Sequence, residues 1–156
     1  MSLPPSEKDE RRRERLREWL DHVHQGNVYC HCGALARWVD SAIVYNGISF
    51  GKIYLCSNYP KCDSWVGVHR NSKRPKGTLA DKETREARKQ AHFIFDTTWK
   101  SPLADQRVFL TRKQAYLWMR EAMNMEKHEA HIAMMTPHQC DELISKVQGL
   151  WRKKND

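Results

Sequence analysis

The chain has 156 residues, enough for one ordinary domain or for a small metal-stapled module joined to a helical piece. Its formal net charge of +8 and pI near 9.4 favour an acidic partner. No run of about 18 apolar residues occurs, which excludes a membrane-spanning helix, and residues 1–17 run straight into charge, unlike a secretory signal.

Residues 1–24 read as a charged amphipathic helix after a loose start at Pro4-Pro5, with Leu16, Trp19, Leu20 and Val23 recurring at helical spacing. Its cations, among them Arg11, Arg12 and Arg13, are nearly cancelled by Glu7, Asp9, Glu10, Glu14 and Glu18. That balance describes a solvated helix docked by a short apolar stripe better than an arm for nucleic acid.

Two close thiol pairs follow. Cys30-x-Cys32 lies beside Gly33, and Cys56-x5-Cys62 encloses Asn58 and Pro60. Pairs separated by roughly 20–25 residues can converge on one tetrahedral ion, as in a zinc ribbon or finger. A reducing cytoplasm is the expected compartment, and there paired cysteines bind metal more often than they form disulfides. Four thiolates on one Zn2+ leave no open coordination position, so the expected role is structural. Cys-x-Cys is tighter than the usual Cys-x-x-Cys, which keeps a Cys3His set open in which His31, His24 or His69 replaces Cys30.

Between the pairs the pattern is β. Leu35, Arg37 and Val39 alternate with Ala34, Ala36 and Trp38, and Ala42–Tyr45 lead to Asn46-Gly47, a hairpin signal. Ile48, Phe50, Ile53, Tyr54 and Leu55 return the chain to Cys56, and residues 65–69 read as a third short strand. Next comes a basic connector, residues 71–77. Over residues 70–90, eight cations (Arg70, Lys73, Arg74, Lys76, Lys82, Arg85, Arg88, Lys89) face Asp81, Glu83 and Glu86. Aromatic rings beside cations form a surface on which single-stranded bases stack while the cations hold phosphates. Tyr45, Phe50 and Tyr59, near turns, are the stacking candidates; Tyr54 and Trp65 are read as core.

From Thr78, with Asp81 as a capping-box partner, the period turns helical, and Ala87, Ala91, Ile94, Phe95 and Trp99 form one stripe ended by Ser101-Pro102. A further helix starts at Thr111 with Gln114 three residues on, and another at Thr136-Pro137 with Gln139. Cys140 falls on the apolar face of the last helix and reads as a buried thiol. His92 and Asp96 stand four apart and His131 follows Glu129, but no His-Glu-x-x-His pattern, phosphate loop or nucleophile elbow is present.

The runs Cys32-Gly33, Tyr45-Asn46-Gly47 and residues 51–62, with Gly51-Lys52-Ile53-Tyr54 leading into the second pair, resemble the C-terminal zinc ribbons of bacterial type IA topoisomerases, which bind single-stranded DNA. A closer resemblance is to the mostly phage and prophage zinc-finger-containing domain proteins of unassigned function. It continues through residues 66–69 and 75–80, Ala91-His92, Phe95-Asp96, Trp99-Lys100, Thr111-Arg112, Ala115-Tyr116 and His131-Ile132. That family's pattern has Cys-x-x-Cys where this chain has Tyr29-Cys30-His31-Cys32, so the first thiol is displaced by one position.

The expected fold is α+β: a small antiparallel zinc ribbon followed by a three-helix segment, with an N-terminal amphipathic helix. Residues 1–27 form the charged helix, 28–77 the ribbon and basic connector, and 78–156 the helical domain. The expected function is non-catalytic binding of nucleic acid, single-stranded DNA favoured, in a bacterial host's cytoplasm. Cys30, Cys32, Cys56 and Cys62 hold the ion, Lys52, Lys61, Arg70, Lys73, Arg74 and Lys76 neutralise phosphates, and Phe50 and Tyr59 stack. Neither a membrane nor a small-molecule substrate is expected. The alternative is a module that binds a host protein such as a polymerase, nuclease or defence protein, through a Met-rich face including Trp118, Met119, Met123, Met125, Met134 and Met135. An enzyme built on His92, Asp96 and His131 is the weakest reading.

Overall fold

A computed structural model describes residues 6–156; the loose start at Pro4-Pro5 lies outside the described residues. The described residues form an α+β protein with four α-helices and one three-stranded antiparallel sheet. No helix among them is long and apolar enough to cross a membrane. Two compact units divide the chain, Glu7–Glu83 and Thr84–Asp156.

The first unit begins with α1, Glu7–His24, whose first turn carries Glu7, Asp9 and Glu10 and whose last turn carries His22 and His24. Acids at the N-terminus and imidazoles at the C-terminus match the helix dipole. Trp19 and Val23 pack against a buried cluster of Val28, Cys30, Cys56, Val66 and Leu79, and the Trp19 indole N–H donates to the Tyr29 carbonyl at 2.8 Å. Of the stripe read from the sequence, Trp19 and Val23 therefore form the docking contact.

The sheet runs in the order β1 (Ala36–Asp40), β2 (Lys52–Cys56), β3 (Trp65–Gly67). Register pairs Trp38 with Tyr54 and Tyr54 with Val66, while Arg37 pairs with Leu55 and Leu55 with Trp65. Because side chains alternate, Trp38, Tyr54 and Val66 share one face, and Arg37, Leu55 and Trp65 share the other.

Three local expectations are corrected. Residues 42–45 are not strand, and Asn46-Gly47 is not a tight hairpin. The Asp40 carboxylate accepts from the Ala42 N–H at 2.8 Å and from the Ser49 hydroxyl at 2.9 Å, which stops β1 and starts a 3-10 turn at Ser41–Ile43. The buried Ser41 hydroxyl accepts from the Phe50 N–H at 2.7 Å, closing residues 41–51 into a braced loop. The third strand stops at Gly67, and the basic segment is a hairpin loop rather than a plain connector: Val68 bridges Pro75, and His69 N–H donates to the Arg74 carbonyl at 3.0 Å. Finally, the next helix, α2, covers Lys82–Asp96 and does not start at Thr78. Ala80 exchanges both backbone hydrogen bonds with Trp65, at 3.1 Å each, and that pairing holds the chain extended.

The second unit packs α2, α3 (Arg112–Ala122) and α4 (Pro137–Asn155) around Phe95, Met119, Ile132, Met135, Leu143 and Val147. Their starts follow local chemistry. Thr111 accepts from the Gln114 N–H, and Thr136 with Gln139 forms a reciprocal capping box with Pro137 in the first turn. Phe95 is fully buried, its ring edge-on to Tyr116 with centroids 5.1 Å apart. Phe95→Ala is expected to cost about 3–5 kcal/mol, read as a lowered urea midpoint of this unit's unfolding; a loss below about 1 kcal/mol would contradict the packing.

The Met-rich surface imagined for a protein partner is corrected here. Met119, Met123, Met125 and Met135 are all buried in this core, and Trp118 is half-buried against it. Cys140 is fully buried there too, and burial raises its thiol to about 11, in keeping with a structural role.

Candidate metal centre

The first pair sits on a tight turn. The Tyr29–Leu35 bridge closes it, Cys30 N–H donates to the Ala34 carbonyl at 2.8 Å, and Gly33 N–H donates to the Cys30 carbonyl at 2.9 Å. Gly33 adopts φ +93°, a left-handed conformation that glycine reaches without the Cβ penalty. The second pair brackets a turn in which Tyr59 N–H donates to the Cys56 carbonyl and Cys62 N–H to the Asn58 carbonyl. Cys56 ends β2, so the sheet carries one pair at its start and the other at the end of its central strand.

These turns converge the four sulfurs, which all lie within 4.8 Å of one another. Cys30 Sγ is 3.7 Å from Cys62 Sγ, and Cys32 Sγ is 3.4 Å from Cys56 Sγ. A tetrahedron of thiolates about 2.3 Å from zinc has edges of about 3.8 Å, so the donor set fits the ion in both chemistry and size.

Four thiolates around a divalent ion carry excess negative charge, and nearby donors offset it. The Asn58 backbone N–H points at Cys56 Sγ (3.4 Å) and the Asn58 side-chain amide at Cys32 Sγ (3.7 Å). Ser64 Oγ lies 3.4 Å from Cys62 Sγ and 2.9 Å from His31 Nε2. Burial raises the Cys30 and Cys56 thiols, whereas the Ala34 backbone N–H, then Cys56, holds the exposed Cys32 down to about 7. An arriving metal ion displaces the protons still bound.

No histidine joins this cluster among the described residues, and the His31 imidazole is engaged by Ser64 instead. His31→Ala is therefore expected to retain one zinc per chain by elemental analysis; loss of the metal would make His31 a ligand.

The cationic candidates lie in the same unit. Arg70, Lys73, Arg74 and Lys76 are all exposed on the hairpin loop of residues 69–76, with no acidic residue between them. The Tyr54 hydroxyl donates to the Lys73 carbonyl at 2.6 Å and pins this loop to the sheet. Lys61 is exposed and Tyr59 half-buried on the second turn. Lys52 is exposed at the start of β2, and Phe50, 73% exposed, packs edge-on against Tyr45 with centroids 5.0 Å apart. One ring was missed as a functional candidate: Trp38, which lies under the Lys73 ammonium at 5.9 Å. Its partner Tyr54 is defined only by strand register, which the sequence pattern alone does not reveal.

Fold and site together define a zinc ribbon with one closed, structural Zn2+ centre held by Cys30, Cys32, Cys56 and Cys62. The chain belongs to the zinc-finger-containing domain family, whose model matches residues 26–150. No curated protein and no solved structure matches it significantly.

Proposed function

We propose that this protein is a non-catalytic nucleic-acid-binding protein that favours single-stranded DNA and works in the cytoplasm of a bacterial host. One observation carries the reading. Arg70, Lys73, Arg74 and Lys76 stand within seven residues on a loop braced to the zinc-stapled sheet, all exposed, and none makes an ion pair among the described residues. Four unneutralised cations held on a fixed loop suit a chain of phosphates, with Lys52 and Lys61 as further contacts. Residues 51–62 resemble topoisomerase ribbons in sequence, which favours single strands, and the sequence resemblance to phage and prophage proteins favours the bacterial setting.

Binding of a fluorescent oligonucleotide, followed by anisotropy across salt concentrations, tests it. Four to six phosphate contacts on a single strand give a log–log salt slope of about −3 to −4. Duplex of the same length should bind more weakly. Affinity that stays flat from low to moderate salt removes the electrostatic mechanism.

A second reading, a module for a host protein, draws support from the braced loop of residues 41–51. It carries no charged side chain yet exposes Ile43, Tyr45, Ile48 and Phe50. A stoichiometric protein captured from host lysate after nuclease treatment would favour this reading over the first.

A further inference from the structure

We infer that Trp38 is the platform on which an unpaired base stacks, and that the Lys73 ammonium is its removable cover. This assignment rests on the nucleic-acid reading above and places the stacking contact within it.

Trp38 stands opposite Tyr54 in the β1–β2 pairing, with ring centroids 5.1 Å apart and planes tilted by 60°. A half-buried tryptophan is ordinarily a core residue. This one belongs to neither buried cluster of the protein. Its ring and cation partners among the described residues are the Tyr54 ring and the Lys73 ammonium, and its indole N–H makes no hydrogen bond to them. The ring therefore has a polar handle and a face covered by a solvent-exposed side chain.

The cover is held by two attachments of different strength. The Lys73 backbone is fixed through its carbonyl by the Tyr54 hydroxyl at 2.6 Å. The side chain beyond it is held only by the ring, with Nζ 5.9 Å from the centroid, a weak attraction at an exposed site. A base can take that position by stacking, and the released ammonium then meets the adjoining phosphate, flanked by Arg70, Arg74 and Lys76. A base paired within a duplex offers no such free face, so the same exchange would select single strands.

Phe50 is more exposed than Trp38 but differently placed. Its ring packs on Tyr45, whose own ring packs on Trp65 with centroids 5.4 Å apart, and Trp65 projects from the sheet face opposite Trp38. No cation is stacked on it among the described contacts, and its loop is uncharged.

The test uses the full chain, loaded with zinc, and an oligothymidylate probe. Trp38→Leu is expected to bind roughly 5- to 100-fold more weakly, with its salt slope unchanged, because a stack rather than a phosphate contact is lost. Trp38→Tyr, which keeps a ring, should stay near the parent affinity. Zinc content reports whether each variant folds. Should Trp38→Leu fail to fold, ultraviolet cross-linking of a bromodeoxyuridine oligonucleotide to the parent protein decides, with the adduct expected on Trp38. A folded Trp38→Leu that binds like the parent, or cross-links on Phe50 or Tyr59 with none on Trp38, overturns the assignment while leaving nucleic-acid binding intact. A parent protein that fails to bind the probe even at low salt removes both.

Discussion

Cys56→Ser is expected to unfold the Glu7–Glu83 unit outright. Cys56 is fully buried, ends the central strand and contributes one of four converging sulfurs, so a hydroxyl there forfeits the metal and leaves a polar group in the core. The unit has little to fall back on. Its buried cluster is Val28, Cys30, Cys56, Val66 and Leu79, two of them ligands, and outside that cluster it buries only a few more apolar side chains, Ile53, Leu55 and Ala80 among them. A core in a unit of this size rarely supplies more than about 3–5 kcal/mol, whereas a structural zinc contributes on the order of 10 kcal/mol or more. The larger number decides the outcome. The indole N–H of Trp19, which donates to Tyr29, offers a local reporter: its dispersed NMR signal should collapse in the variant. A strong chelator should do the same to the parent protein, and added zinc should restore the parent but not the variant. A Cys56→Ser protein that keeps a dispersed spectrum and a cooperative transition would refute a metal-dependent fold.

Replacing Arg70, Lys73, Arg74 and Lys76 together with glutamine is expected to abolish most nucleic-acid affinity without disturbing the fold. The four side chains are exposed and make no ion pairs among the described residues, so their removal costs little stability. The loop itself is held by backbone groups, through the Val68–Pro75 bridge and the Tyr54 bond to the Lys73 carbonyl, and these survive substitution. Each lost phosphate contact removes about 0.7 from the salt slope, so four should flatten it by about 3 and weaken binding by several hundred-fold near 0.1 M salt. Anisotropy titrations of parent and variant at several salt concentrations measure both quantities. A slope changed by less than about one would mean that the phosphates lie elsewhere.

What could be read from the sequence was what local chemistry decides. The cysteine pairs announced themselves because Gly33 and Asn58 make the turns that bring each pair together within a few residues. The last helix was legible for the same reason: Thr136, Pro137 and Gln139 satisfy its first turn by themselves. Contacts between distant residues were not legible. Asn46-Gly47 suggested a tight hairpin, but the Asp40 carboxylate reaches Ser49, nine residues on, and converts the stretch into a wide loop. Thr78 suggested a helix start, but Ala80 is claimed by Trp65 from fifteen residues earlier, so backbone pairing outweighs the capping signal. The Met-rich segment shows the same limit, since composition alone does not tell a core face from a binding face. Trp38 was hidden because its meaning depends on register, which sets Tyr54 beside it and carries Lys73 over it.

X-ray absorption at the zinc edge of the purified, folded protein probes the founding premise most directly. The expected spectrum is a single shell of four sulfurs at about 2.3 Å, with one zinc per chain. A folded protein without stoichiometric zinc, or a shell containing nitrogen or oxygen, would contradict the closed thiolate centre on which the ribbon and its cationic loop depend.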